Sequence, residues 1–148
     1  MCEGTLSVRD TRKRHVIGQD GSRRTYRLRR LKCTACGKLH IELPKCMLPF
    51  KHYEASAIET AIDQSRSDCP ADDSTINRWK RAFNAVLPQI EGALRACWTS
   101  HESRHFPLLN RISLLHYIRL EGPGWLAFVH YLLSKTGIWL HTYFACCP

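Results

Sequence analysis

Acidic residues are scarce in the first third of this 148-residue chain. Residues 1–52 hold 4 of them against 13 Lys and Arg, whereas residues 53–148 hold 9 of each. The whole net charge of +9 therefore sits at one end. That end is the expected contact for a polyanion, and the remainder should fold as a neutral unit. Long hydrophobic runs are also lacking. The longest apolar stretch, Trp125 to Leu133, falls well short of the ~20 residues a membrane span needs. A buried helix is expected there, and no membrane association. No apolar segment follows Met1, so no secretory signal is expected. The eight cysteines then read as thiols or metal ligands of a cytoplasmic protein rather than as disulfides. The chain has no Walker loop, dinucleotide fingerprint, nucleophile elbow or HExxH. An RNase H-like nuclease core needs more chain than the neutral part provides. No small-molecule substrate is evident, no catalytic constellation is visible, and no enzyme activity is expected. What the chain does have is 44% apolar residues, enough for a core and too many for wholesale disorder.

Two stretches with β character, Thr5 to Ile17 and Arg23 to Cys33, flank Gly18-Gln19-Asp20-Gly21-Ser22. This segment supplies the positive φ of a hairpin turn. In the second stretch Tyr26 and Leu28 alternate with Arg27 and Arg29, which predicts one apolar and one guanidinium-rich face. Leu39, Ile41 and Leu43 alternate with polar residues and suggest a short third strand. Between residues 9 and 32 there are eight Arg and two Lys. Arg12, Arg14, Arg24, Arg27, Arg29, Arg30 and Lys32 are the candidate phosphate contacts, because guanidinium suits bidentate phosphate binding. Such contacts fix position with little sequence readout.

Cys33-x2-Cys36-Gly37 is the strongest chemical signal. Two thiolates on one tight turn can hold one Zn2+, which in structural sites takes four ligands. Cys2, followed by Glu3-Gly4, looks like the second half of another knuckle whose first cysteine would precede Met1. Either the chain begins inside a longer ribbon or the fourth ligand comes from His40, Cys46 or His15, in that order. The metal candidates are Cys2, Cys33 and Cys36, as an incomplete zinc site.

Leu43-Pro44 to Leu48-Pro49 reads as a linker, with a domain boundary near residue 50. Ala57, Ile58, Ala61 and Ile62 then form a helical stripe through about Arg66. A second helix is expected from Ser74, capped by Asp72, Asp73 or Ser74, with Ile76, Trp79, Phe83 and Val86 or Leu87 inward. Pro88 is expected to kink it or to start a new helix through Trp98. The first two helices, about 53–87, have the form of a helix-turn-helix. Thr75, Asn77, Arg78 and Arg81 project from the first turns of the second helix, where base edges would be met. Asp63, Asp68, Asp72 and Asp73 are better explained as helix-end residues than as nuclease carboxylates. His101 with His105, and Cys146 with Cys147, are weaker pairs without evident partners. Trp125 to Lys135 reads as a strongly apolar helix.

The sequence resembles an uncharacterised family of short bacterial proteins with an N-terminal zinc ribbon and a helix-turn-helix. That family is associated with mobile elements and a transposase-like description. The resemblance rests on Tyr26-Arg27-Leu28-Arg29-Arg30-Leu31-Lys32-Cys33-x-x-Cys36, on Leu48-Pro49-Phe50-Lys51-His52-Tyr53, and on Cys69-Pro70-Ala71-Asp72-Asp73-Ser74-Thr75-Ile76-Asn77-Arg78-Trp79. It implies DNA binding and no particular reaction. The family's first knuckle has two cysteines, of which Cys2 alone stands here. The expected fold is α+β: a basic zinc-ribbon-like β domain over 1–49, then an all-α domain over 50–148. Its C-terminal helices would pack on the helix pair or form a homodimer. DNA is the expected partner. Non-specific RNA binding is the alternative, and a nuclease or strand-transferase fragment ranks third.

Overall fold

Polar-apolar alternation and a glycine turn produce a long hairpin. The structure, a computed structural model, describes residues 3–64, 69–101 and 113–135. Strands β1 (Leu6–Ile17) and β2 (Arg23–Cys33) pair antiparallel, with an irregularity between Val8 and Asp10. The turn closes with Gly18 and Ser22 hydrogen-bonded and Gly21 at φ 75°. Asp20 accepts from the Ser22 hydroxyl at 2.6 Å and the Ser22 amide at 3.0 Å. These bonds hold its pKa down to about 2. Strand β3 (Leu39–Ile41) adds to β2 and gives the order β1-β2-β3. It is shorter than the alternation through Leu43 suggests.

One face of the hairpin carries Val16 and Leu28, which bury with Met47 in a small core flanked by Tyr26, Leu43 and Cys46. A larger core lies among the helices. Helix α1 (Ala55–Asp63) buries Ala57, Ile58 and Ala61 completely. It ends three residues before the expected Arg66. Gln64 has already turned extended, and its carbonyl accepts Lys80 Nζ at 2.8 Å. A cation there satisfies a free carbonyl and complements the negative helix end.

Helix α2 (Asp73–His101) runs for 29 residues without interruption. The expected restart at Pro88 does not occur. Ile76, Trp79, Phe83, Val86, Ile90, Ala93, Leu94 and Cys97 form one buried stripe across it. Their spacing of three and four continues through Pro88, which lies on the exposed side. Asp72 is the N-cap: its carboxylate accepts the Thr75 amide at 2.8 Å and the Ser74 and Thr75 hydroxyls. The hydroxyl of Ser74, with those amide and hydroxyl bonds from Thr75, holds the Asp72 carboxyl far below the usual range.

Helices α3 (Leu114–Leu120) and α4 (Trp125–Lys135) pack on this frame, and their free amides are met by carboxylates from other helices. Glu91 of α2 accepts the Leu114 amide at 2.7 Å and the Leu115 amide at 3.0 Å. Buried Glu59 of α1 accepts the Gly124 amide at 2.6 Å and the Leu126 amide at 2.8 Å. Asp63 accepts the Trp125 indole at 2.6 Å and pairs with Arg119. The chain is thus α+β, an antiparallel three-stranded sheet followed by four helices among the described residues. No helix of the described residues is long and apolar enough to cross a membrane.

Pro88 removes one helical hydrogen bond and crowds the carbonyl of Asn84, one turn earlier. Since it is exposed, Pro88→Ala is expected to stabilise the fold by about 1–3 kcal/mol. Urea unfolding checks this as a higher midpoint at unchanged slope.

Candidate nucleic-acid interface

The hairpin register decides where each basic side chain stands. Residues directly opposite share a face. Lys13 lies opposite Arg27, Thr11 opposite Arg29, and Ile17 opposite Arg23. Lys13, Arg23, Arg27 and Arg29 are all exposed on this outer face. Arg29 is held by Glu42, with two bonds of 2.5 and 2.8 Å. Among the described residues, no carboxylate lies within ion-pair distance of Lys13, Arg23 or Arg27.

The other face uses its arginines internally. Arg24 donates to both oxygens of buried Glu54 at 3.0 and 3.1 Å, and to Asp20 at 3.2 Å. Arg30 pairs with Asp10 through two bonds of 2.5 Å. Arg14 donates to the carbonyls of Leu48 at 3.5 Å and Lys51 at 2.7 Å. Its burial, and then the charge of Arg12, lower its pKa from the ordinary value. Arg12 and Lys32 are exposed. The seven candidate hairpin contacts thus divide. Arg27, Arg12 and Lys32 are left toward solvent, and Arg14, Arg24, Arg29 and Arg30 already have protein partners.

The Cys33–Cys36 knuckle forms a tight turn, with the Gly37 amide donating to Cys33 O at 3.0 Å and Gly37 at φ 68°. Cys33 is buried and Cys36 exposed. The N-terminal segment crosses this turn closely. A Cβ on Gly4 would meet Cys33 Sγ at 2.6 Å and Ala35 at 2.7 Å. The amide of Thr34 donates to Thr5 O at 2.9 Å, and the two threonine hydroxyls lie 3.1 Å apart. Cys2 itself lies outside the described residues. Among them no cluster of three or more potential metal ligands forms. His40 lies opposite Leu31, two residues from Cys33, whereas His15 lies opposite Thr25 and bonds its hydroxyl at 2.8 Å. Cys46 packs beside Tyr26 in the small core. Tyr26 is seven residues from Cys33, about 23 Å along the strand. Two thiols therefore suit half of a tetrahedral zinc set.

The other candidate contacts sit on the first turns of α2. Asn77, Arg78 and Arg81 are exposed, and Thr75 is half-buried against its cap. Arg78 reaches the Thr75 hydroxyl at 3.4 Å, and Arg81 the Asn77 carbonyl at 3.4 Å. Beside them opens a shallow groove of about 230 Å3, lined by Phe50, His52, Tyr53, Arg78 and Trp79 among others. Tyr53 and Trp79 meet edge to face at 5.1 Å.

Phe50 is a residue that the sequence pattern did not single out. It sits at φ 59°, the one positive value among the described non-glycine residues, and is 75% exposed. Pro49 precedes it, and the Lys51 amide donates to Leu48 O at 3.4 Å. That is a turn with proline at its second position and a left-handed third position, where glycine or asparagine is usual. The available signal was the proline before an aromatic in a linker. Asp63 and Asp72 are committed to α4 and α2 as described, and Asp68 lies outside the described residues. Cys69 packs against the large core, and Cys97 is buried within it. His105, Cys146 and Cys147 lie outside the described residues.

A three-stranded sheet with a cysteine knuckle, joined to helices, defines an α+β protein with one strongly basic face. Residues 1–79 match a domain of unknown function, DUF6431, and the chain belongs to that family. No curated protein and no solved structure matches it. The matched region ends at Trp79, so it covers the sheet, the Phe50 turn, α1 and the start of α2.

The left-handed conformation costs a non-glycine residue about 1–2 kcal/mol. An exposed ring returns little burial, and glycine gives back part of the gain through the unfolded chain. Phe50→Gly is therefore expected to raise stability by a net of about 0.5–1 kcal/mol, read from chemical denaturation against the wild type.

Proposed function

We propose that the chain is a DNA-binding protein, an accessory or regulatory protein of a mobile element or the DNA-binding part of a transposase-like protein. The observation that carries this reading is the register of Lys13 against Arg27 on the exposed outer face. Like charges directly opposite destabilise a hairpin. With Arg23 further along the same face and no carboxylate of the described residues within ion-pair distance, they are arranged for an external polyanion. The hairpin supplies phosphate contact and orientation. Helices α1 and α2 act as the helix-turn-helix, with Asn77, Arg78 and Arg81 toward base edges.

Arg27→Ala and Arg78→Ala separate the two roles. Arg27 is the cleaner hairpin probe, because Arg29 is held by Glu42. Arg27→Ala is expected to weaken binding to all duplexes alike and to lower the log–log salt slope by about 0.9. Arg78→Ala should relax preference at one base position by about 1–3 kcal/mol. Titrations at several salt concentrations against a selected and a scrambled duplex decide it. Uniform loss from both variants removes the base-reading role of α2. Tighter binding of single-stranded RNA than of any duplex favours the RNA reading.

The knuckle belongs to the same proposal as a zinc centre, with Cys33, Cys36 and Cys2 as thiolate ligands. Zinc there would tie the N-terminal segment to the β2 end, where Gly4 already lies against Cys33. Such binding energy is folding energy in so small a unit. The expected result is one zinc per chain by elemental analysis, lost in Cys36→Ser. Zinc-free protein that melts identically with and without added zinc would remove the ribbon.

A further inference from the structure

We propose that Phe50 stacks on a DNA base opened from its helical stack, with the groove beside α2 receiving that base. This rests on the DNA-binding reading above. Three observations point to it. Phe50 is the most exposed of the large apolar side chains among the described residues, at 75%. It is also held in a left-handed backbone conformation that phenylalanine rarely adopts, and such strain persists where the surroundings enforce it. The enforcing group is Arg14, whose guanidinium bonds the carbonyls of Leu48 and Lys51 on either side of the Pro49-Phe50 pair. A basic strand residue is thus used to fix the display of an aromatic ring.

The third observation is what stands around the ring. The groove is lined by Tyr53 and Trp79 together with Lys51, His52 and Arg78, and none of its described lining residues is a carboxylate. An aromatic ring with cations beside it is the arrangement that holds a base by its face and a backbone by its phosphates. Arg78 belongs both to this groove and to the outward face of α2. A base drawn to Phe50 would therefore lie next to the groove-facing helix. Apolar and aromatic side chains placed at a base step unstack it and bend the duplex.

The test uses the full chain and a set of duplexes carrying 2-aminopurine at successive positions, whose emission rises when its stack opens. Phe50→Ala keeps a Cβ and the same left-handed backbone while removing the ring. The wild type is expected to raise emission at one position. Phe50→Ala should lose that rise and bind about tenfold more weakly, with an unchanged salt slope because no charge is removed. Phe50→Tyr should restore both. If Phe50→Ala matches the wild type in emission and affinity, the stacking role falls and DNA binding stands. If the wild type binds no duplex, both fall. If Phe50→Ala abolishes self-association and leaves the emission rise intact, the ring docks on protein and the proposal is overturned.

Discussion

Glu54 is the joint on which the arrangement depends. It lies just before α1, is 4% exposed, and accepts from Arg24 through both carboxylate oxygens and from Tyr26 at 2.8 Å. A buried carboxylate needs such partners, since an unpaired one costs several kcal/mol. Both partners come from β2, so the charge of a helix-side residue is satisfied by the sheet. The backbone reinforces this. Glu54 N donates to Ile17 O at 2.9 Å, Ile17 N donates to His52 O at 2.8 Å, and Ala55 N donates to Cys46 O at 2.8 Å. The Tyr26 phenol is correspondingly pushed up to about 12, by its bond to Glu54 and then by Cys46. The segment from Cys46 to Ala55 is thus bonded to both the sheet and α1, and it carries Phe50 at its middle.

The same interaction explains why the positive charge of the first third is not all available. Arg24 neutralises Glu54, Arg30 neutralises Asp10, and Arg29 neutralises Glu42. Strand alternation sorts the rest. A residue on the core-facing side must find an internal partner or reach out past the edge. On the outer face Arg29 finds Glu42, while Lys13, Arg23 and Arg27 are exposed to solvent. Among the described residues the outer pair Lys13 and Arg27 has no such internal acid, and a salt-screened repulsion remains between them. Arg14, Arg24 and Arg30 serve the fold from the core-facing side, and Arg29 does so from the outer one.

The sequence made the hairpin legible because a period of two and a glycine turn are local signals. The bounds of α4 were legible at both ends, where Gly124 and the Thr136-Gly137 pair frame one apolar run. The unbroken length of α2 was also written in the spacing from Ile76 to Cys97, but Pro88 suggested a break. Proline there sits on the exposed side, so the buried stripe overrides it. The ion pairs were not legible. Arg24 and Glu54 are 30 residues apart, and Arg29 and Glu42 are 13 apart. Only the topology brings them together. The same is true of Glu59 and Glu91, which cap helices other than their own.

This use of acids has an electrostatic consequence. Glu59, Asp63, Asp72 and Glu91 are each fixed on amides, an indole or hydroxyls of helix starts. At Glu91, burial raises the pKa, but the Leu115 and Leu114 amides, Ser113 and Arg95 outweigh it and lower it. Asp72 and Glu91, both held below the ordinary carboxylate range, stay charged at neutral pH at the starts of α2 and α3. Arg78 lies in the groove beside α2 with Lys51 and His52, and the acids nearest in sequence, Asp72 and Asp73, stand at the start of its own helix. Asp72 is held by three local donors. The start of α2 thus places Arg78 beside Lys51 in one groove, although residues 53–148 carry no net charge.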